Sequence, residues 1–519
     1  MITTKDLIRK SAIYYADRPA VVFEGQTLTY REVNERANRL ANALSDLGLR
    51  PGSRVATLQS NGLHFIEVVF GVIKGGFVQL TLNPRLKSPE LLFQLKDSEA
   101  EAIVLQHQYA GLIKSILREL SNLKHVICFE GQEAGMLDYE RFIASASPLE
   151  PEAELDPEAL GELKYTSGTT GAPKGIMLPF KAWQNLSRNL LLDQMPFLDC
   201  RDRFMALQPL QHGAGRRILP VWIRGATHYV VTRFDADVAY TMIEKERITV
   251  IKTVPTVILR LLDYPDIAKR DLSSLRAVIF GASPMPVERL KQAIEIFGPI
   301  FIQGYGQTEA PVTICALKQE DYAVEGDLGK VKHLSSVGRP YTMVQVKVVN
   351  QEGREVAPGD LGEVIVTGDH IMMGYLNRPE ATAETLRDGW IYTRDIATVD
   401  EVGYIYLTGG RKSDMIITGG LNVYPNEVEQ VLYQHPAVGE AAVIGIPDPA
   451  WGEAIKACIV LKTGHLASEE EIIDFCKERL ASYKKPRSVE FVKDLPKNSA
   501  GKIMHKELRR RFVDDQREQ

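Results

Sequence analysis

Tyr165-Thr166-Ser167-Gly168-Thr169-Thr170-Gly171-Ala172-Pro173-Lys174-Gly175 concentrates hydroxyls, glycines and one lysine in eleven residues. Small residues let backbone N–H groups approach an anion, hydroxyls add donors and the lysine adds a point charge, so the stretch reads as a mobile phosphate-wrapping loop. A Walker A loop is excluded, because Lys174 follows Pro173 and precedes Gly175 where that pattern requires Gly-Lys-Ser/Thr. A surface loop rich in Gly and Thr explains four or five such residues but not the whole string.

Outward from this loop, the chain reads as layered α/β. On its N-terminal side, Phe23 to Tyr30 predicts a hairpin, and the spacing of Val33, Ala37, Leu40, Ala41, Leu44 and Leu47 predicts a helix ended by Gly48. Strands at Arg54–Leu58 and Phe77–Leu82 flank a helix at Ile66–Ile73. On its C-terminal side, strands are predicted at Phe204–Gln208, Val250–Val254, Ala277–Phe280 and Phe301–Gln303, with a helix at Ala236–Glu246. Such alternation predicts parallel sheets. The turns Gly281-Ala282-Ser283 and Gln303-Gly304-Tyr305 fall at strand carboxyl ends, where α/β sheets hold ligands, and are candidate walls of the cofactor pocket. Plain tight turns are the alternative for each.

Short strands from Val337 to Leu407 predict a small β subdomain, and the polar junction Gly409 to Asp414 is the candidate domain boundary. The fold class is therefore α/β. A large N-terminal domain of layered α/β subdomains plus a small β subdomain, residues 1–410, precedes a small α+β C-terminal domain, residues 411–519, which the resemblance described below implies is mobile.

Composition narrows the function. With 45% hydrophobic and 25% charged residues and a net charge of −5, nothing favours nucleic acid or an anionic membrane as partner. The five cysteines show no zinc spacing and fit a reducing compartment. The N-terminus lacks a signal-peptide core, no integral membrane segment is expected, and the C-terminus carries no peroxisomal signal, so a cytoplasmic location is expected.

Five motifs in order resemble the adenylate-forming superfamily of acyl-CoA synthetases, nonribosomal peptide synthetase adenylation domains and firefly luciferase. They are the Tyr165–Gly175 loop; Pro209-Leu210-Gln211-His212; Tyr305-Gly306-Gln307-Thr308-Glu309; the run from Asp395 through Gly410-Arg411 and Gly419-Gly420-Leu421-Asn422-Val423-Tyr424-Pro425; and Pro496-Lys497-Asn498-Ser499-Ala500-Gly501-Lys502. The resemblance implies an acid:CoA ligase using ATP, Mg2+ and coenzyme A on a small carboxylic acid. Thr166 to Gly171 and Lys174 would wrap the β- and γ-phosphates, Glu309 would be the magnesium ligand, and Thr308 would bond the α-phosphate. Asp395 and Arg411 would hold the ribose, Lys502 would promote adenylation, and Gly419-Gly420 would pass the CoA arm after the small domain rotates. His212 would gate the acid pocket, with a neutral core histidine as the alternative. Thr308-Glu309 taken alone is more often a helix start, and Asp395 or Arg411 alone a surface ion pair.

Two departures stand out. Relatives more often carry Gly at the position of Arg394, and Asp or Lys at the hinge position of Ser413. Arg216 and Arg217 stand where many relatives are apolar. One of them reaches a second acidic group of the substrate, or they form an outward salt bridge at a helix start. Two other functions stay open: a stand-alone ligase loading a carrier protein in trans, and a nucleotide-binding regulatory homologue without turnover. A homodimer is compatible with the sequence.

Overall fold

The capping chemistry at Thr29 sets the first long helix. Its side chain accepts from the Glu32 N–H while Glu32 accepts the Thr29 N–H at 2.7 Å, and the helix Tyr30–Asp46 buries Val33, Ala37, Leu40, Ala41 and Leu44. The hairpin before it pairs Pro19–Phe23 with Gln26–Thr29 through Glu24 and Gly25, both at positive φ, as a two-residue hairpin turn requires. The computed structural model describes residues 2–166, 173–323, 328–411, 415–418, 421–448, 451–498 and 501–515, with backbone only at 166, 328–330, 409–411, 422 and 513–515.

A nine-stranded sheet runs in the order Arg339–Pro340, Cys315–Leu317, Phe301–Tyr305, Ala277–Gly281, Val250–Lys252, Arg203–Ala206, Thr227–Val230, Pro19–Phe23, Gln26–Thr29. It is parallel from Phe301–Tyr305 to Pro19–Phe23 and antiparallel at its edges. An eight-stranded sheet runs Gly374–Tyr375, Lys174–Pro179, Leu160–Thr166, Val78–Thr81, Arg54–Leu58, Ala102–Gln106, His125–Phe129, Leu137–Asp138. The helices Thr4–Tyr14, Tyr30–Asp46, Phe65–Lys74, Phe180–Asn189 and Ile218–Ile223 form a shared layer whose buried residues join one core with strands of both sheets. Trp222 is fully buried there, its ring tilted against Tyr30 with centroids 4.1 Å apart and its indole N–H donating to the Ile8 carbonyl at 2.9 Å.

The predicted β subdomain is an antiparallel sheet of Gln345–Val349, Gly362–Thr367, Trp390–Val399, Leu386–Arg387 and Ile405–Arg411. The C-terminal α+β unit packs the helices Pro425–Leu432 and Glu469–Lys477 on a sheet whose longest strands are Val438–Asp448 and Gly452–Leu461.

Inside the strand Trp390–Val399, register shifts on both sides mark a β-bulge at Thr393–Asp395, and Arg394 sits at φ 64°. A side chain there is strained, and glycine would adopt this conformation without that cost. Arg394→Gly is expected to raise the unfolding free energy by up to about 1 kcal/mol. Thermal denaturation of the two proteins checks it, and a lower Tm in the variant would mean that the exposed contact to Glu384 at 3.1 Å outweighs the strain.

Candidate active site

The opening loop is the connection of an antiparallel hairpin: Thr166 pairs with Lys174 and Tyr165 with Gly175. The returning strand Lys174–Pro179 is then covered by Gly374–Tyr375, with Tyr375 opposite Ile176. Ser167, Gly168, Thr169, Thr170 and Gly171 lie outside the described residues, as do Gly419, Gly420 and Ser413.

This pairing joins two predicted site residues through a third. The Lys174 ammonium lies 5.0 Å from the Tyr375 ring centroid, over its face, and the Tyr375 hydroxyl donates to Glu309 Oε1 at 2.8 Å. Glu309 is held from its backbone as well, its carbonyl accepting from Met372 N at 2.8 Å. Thr308 and Glu309 do not begin a helix. They occupy a tight turn closed by a Gln307–Pro311 bridge and the Gln307 N–H to Ala310 O bond of 3.1 Å. The chain then folds back on Gly306, where a Cβ would lie 2.5 Å from the Val312 backbone.

Asp395 faces the same turn. Its Oδ2 accepts from the Tyr305 hydroxyl at 2.5 Å and from Gln307 Nε2 at 2.7 Å, and Gln307 also donates to the Thr393 carbonyl at 2.8 Å. The Tyr305 hydroxyl therefore stays a donor: burial and the adjacent Asp395 carboxylate hold its pKa well above the ordinary phenol value. The bulge turns Asp395 toward this turn, and the Arg411 backbone pairs opposite it, the Arg411 side chain being outside the described residues. Gly281 and Gly304 are register partners, and a Cβ on Gly281 would lie 2.2 Å from the Gly304 carbonyl. Ala282 follows at φ 77°, and Ser283 is half-buried beside it, so the two candidate turns form one edge of the site. Gln303, by contrast, is buried within its strand, opposite Leu317.

His212 lines a small cleft with Glu162, Lys164, Trp183 and Arg216. Loss of solvation, then the charges of Lys164 and Arg85, lowers its pKa to about 4, so the ring is neutral at physiological pH. Burial and the neighbouring Arg216 bring Lys164 down to about 8. His228 and His370 are buried and also depressed to about 4 by desolvation. Folded-state values below the ordinary 6.5 mean that the unfolded chain binds more protons between pH 4 and 6.5. Stability from these three groups is complete above pH 6.5 and is lost as pH falls toward 4. Urea unfolding midpoints should decline across that window, and a flat profile from pH 6.5 to 4.5 would show that none of the three is held neutral.

Arg216 and Arg217 are not outward ion pairs, because the turn Gly215–Arg217 buries both. Arg216 bonds Glu162 at 2.5 Å and lies over Trp183 at 5.1 Å. Arg217 turns the other way, toward Gln194.

Lys502 is exposed on a loop between the strand Ser488–Phe491 and the helix His505–Asp515. The loop is closed by the Asn498 N–H to Lys502 O bond of 2.8 Å and by Asn498 Oδ1 accepting from Lys502 N at 2.9 Å. Gly501, at φ 82°, docks on the segment after the strand Val250–Lys252, where a Cβ would lie 3.0 Å from Thr256 Oγ1. The loop thus meets the large unit at the strand carboxyl ends, and among the described residues Lys502 bonds neither Glu309 nor Asp395 in this arrangement. Tyr375 and Gln307 carry no role in the sequence reading. Tyr375 is 66 residues from the carboxylate it holds, and nothing in local patterning signals that link.

A family model described as AMP-binding enzyme matches residues 8–376, and one described as AMP-binding enzyme C-terminal domain matches residues 427–502. A feruloyl-CoA synthase of Amycolatopsis is 38% identical over 495 residues, 95% of this chain and 96% of that protein. The fatty acid–[acyl-carrier-protein] ligase ScoC of Streptomyces coeruleorubidus is 35% identical over 505 residues, 96% and 94% of the two chains. The crystal structure of the anthranilate CoA ligase AuaEII in complex with anthranoyl-AMP matches with a TM-score of 0.90 at 30% identity, covering 99% of this chain and 98% of that one.

Proposed function

The chain belongs to the AMP-binding enzyme family, and we propose on that premise that it is an AMP-forming carboxylic acid:CoA ligase. The observation that carries the reading is the convergence of Lys174, Tyr375, Glu309, Tyr305, Gln307 and Asp395 around one turn. In the first step a carboxylate oxygen of the acid attacks the α-phosphorus of ATP, and the bond to the bridging oxygen breaks to release pyrophosphate. In the second, the CoA thiol attacks the acyl carbonyl, losing its proton, and AMP leaves.

Each residue meets one demand of that chemistry. The Asp395 carboxylate, oriented by two donors, accepts the paired hydroxyls of a ribose. Lys174 and the loop before it offset phosphate charge. Among the described residues no cluster of three or more His, Cys, Asp or Glu is placed to hold a metal by itself. A lone oriented carboxylate suits Mg2+, which takes its remaining oxygens from phosphates and water, and Glu309 is the residue that would hold it. That ion would neutralise charge on the leaving pyrophosphate. Lys502 would stabilise the charge that builds as carboxylate meets α-phosphate. His212, being neutral, would line the acid pocket without repelling or pairing with the substrate. Gly419 and Gly420 would let the CoA arm pass, with the boundary between the large and small units at 410/411.

Pyrophosphate release over a panel of carboxylic acids, with AMP and thioester formation once CoA is added, tests the reading. Pyrophosphate release with no acid at all would reject it. A second reading, transfer to a carrier protein, is favoured by the 35% identical acyl-carrier-protein ligase. Offering CoA and a holo-carrier protein side by side as acceptors distinguishes the two.

A further inference from the structure

Arg217 and Lys252 are buried basic side chains that have no acidic partner among the described residues. Arg217 donates from Nη1 to the Gly213 carbonyl at 2.6 Å and from Nη2 to Gln194 Oε1 at 2.7 Å, and its Nε has no partner. Lys252, the last residue of its strand, donates to the Thr253 carbonyl at 2.6 Å. Among the described residues neither forms an ion pair, and the carboxylates nearby are committed elsewhere. Glu162 takes Arg216 at 2.5 Å, and Asp193 takes Lys318 at 2.7 Å and the Thr342 amide at 2.9 Å. Desolvation lowers Arg217 to about 10 and Lys252 well below its ordinary value, each lowered further by a neighbouring arginine.

Further donors converge on the same place. An arginine can only donate, so its bond to Gln194 Oε1 fixes the amide and turns Nε2 away. That Nε2 lies 2.7 Å from where a Cβ on Gly304 would sit, and the Tyr341 hydroxyl lies 3.5 Å from the same point. Gln194 Nε2, Tyr341 OH and Thr253 Oγ1 are all buried and unpartnered. Gln194 is brought there by a five-residue π-helical turn, Leu190–Gln194, at the end of the helix Phe180–Asn189, a distortion frequent at functional sites. Glycine at 304 leaves the donors without a covering side chain, and at Gly213 a Cβ would still stand 3.9 Å from Arg217 Nη1. The cluster lies at the carboxyl ends of Val250–Lys252 and Phe301–Tyr305 and beside the segment after His212, where the acid is expected.

Buried cations and unpartnered donors are costly unless an occupant supplies negative oxygens. We propose that Arg217, Lys252, Gln194 and Tyr341 receive a second anionic oxygen group at the far end of the substrate, so that the preferred acids are dicarboxylates. This rests on the acid-ligase reading.

The test compares octanoate with suberate and cinnamate with 4-carboxycinnamate, by pyrophosphate release and by calorimetric binding in the presence of AMP. Wild-type kcat/KM should favour the dicarboxylate of each pair by at least about tenfold. Arg217→Met should lower dicarboxylate kcat/KM on the order of 10²-fold while leaving the monoacids within about threefold. Lys252→Met should fall on the same side, and if neither variant folds the wild-type comparison decides alone. Equal preference within both pairs, or equal losses on all four acids, overturns the proposal and leaves the ligase reading intact. Selective binding of the dicarboxylates without pyrophosphate release from any acid overturns the ligase reading and leaves the anion site standing.

Discussion

Lys502→Ala is expected to slow acyl-adenylate formation by roughly 10²–10³-fold, the loss typical of removing one preorganised donor to a developing charge. Attack of one anion on another gathers negative charge between them, and a lysine between the reactants offsets it in the transition state more than in the ground state. Asn498 braces the loop through both its amide and its side chain, and Gly501 seats it against Val254 and Thr256 at the sheet's carboxyl ends. Thioester formation from supplied acyl-adenylate should retain most of its rate in the variant, because that step has no phosphate attack to assist. Pyrophosphate exchange measures the first step and thioester formation from synthetic acyl-adenylate the second. Equal losses in both would remove Lys502 from its assigned role.

Glu309→Gln should be nearly as severe, with kcat reduced about 10²-fold and the Mg2+ concentration for half-maximal rate raised. The amide keeps the size of the side chain and loses the charge that a hard cation requires. Tyr375→Phe separates charge from orientation. It leaves the carboxylate intact but removes the 2.8 Å bond that aims it, so a loss of about 10- to 100-fold is expected, the range for one hydrogen bond to a charged group. Magnesium titrations of the two variants check both. A Glu309→Gln enzyme with wild-type magnesium dependence would show that the ion is held elsewhere.

The layered fold was legible where apolar residues cluster or recur. The strand Arg54–Leu58 falls on its apolar run, buried from Val55 onward without alternation, and the helix Tyr30–Asp46 falls where apolar spacing puts it. Strands that end at the site run longer than their apolar runs: Ala277–Gly281 and Phe301–Tyr305 continue into glycines, because backbone pairing does not need apolar side chains. Glu309 and Asp395 could be picked out in the sequence as candidates, and the residues that orient them could not. The Tyr305–Asp395 bond spans 90 positions and the Tyr375–Glu309 bond 66, distances over which local pattern carries no information. Arg216 and Arg217 read alike in sequence and diverge in space, one to Glu162 and one to Gln194, because adjacent residues on a tight helical turn point to different neighbours.

The donors near Gly304 come from a π-helical turn, the segment after His212, the end of the strand Val250–Lys252 and Tyr341, so no single loop owns them. Transplanting one of these segments between relatives would bring a cation without its companions, or the companions without the cation. Acid preference in this protein should therefore be inherited as a block from Gln194 to Tyr341 in chimeras, and crossovers inside that block should yield folded enzymes that have lost selectivity rather than exchanged it.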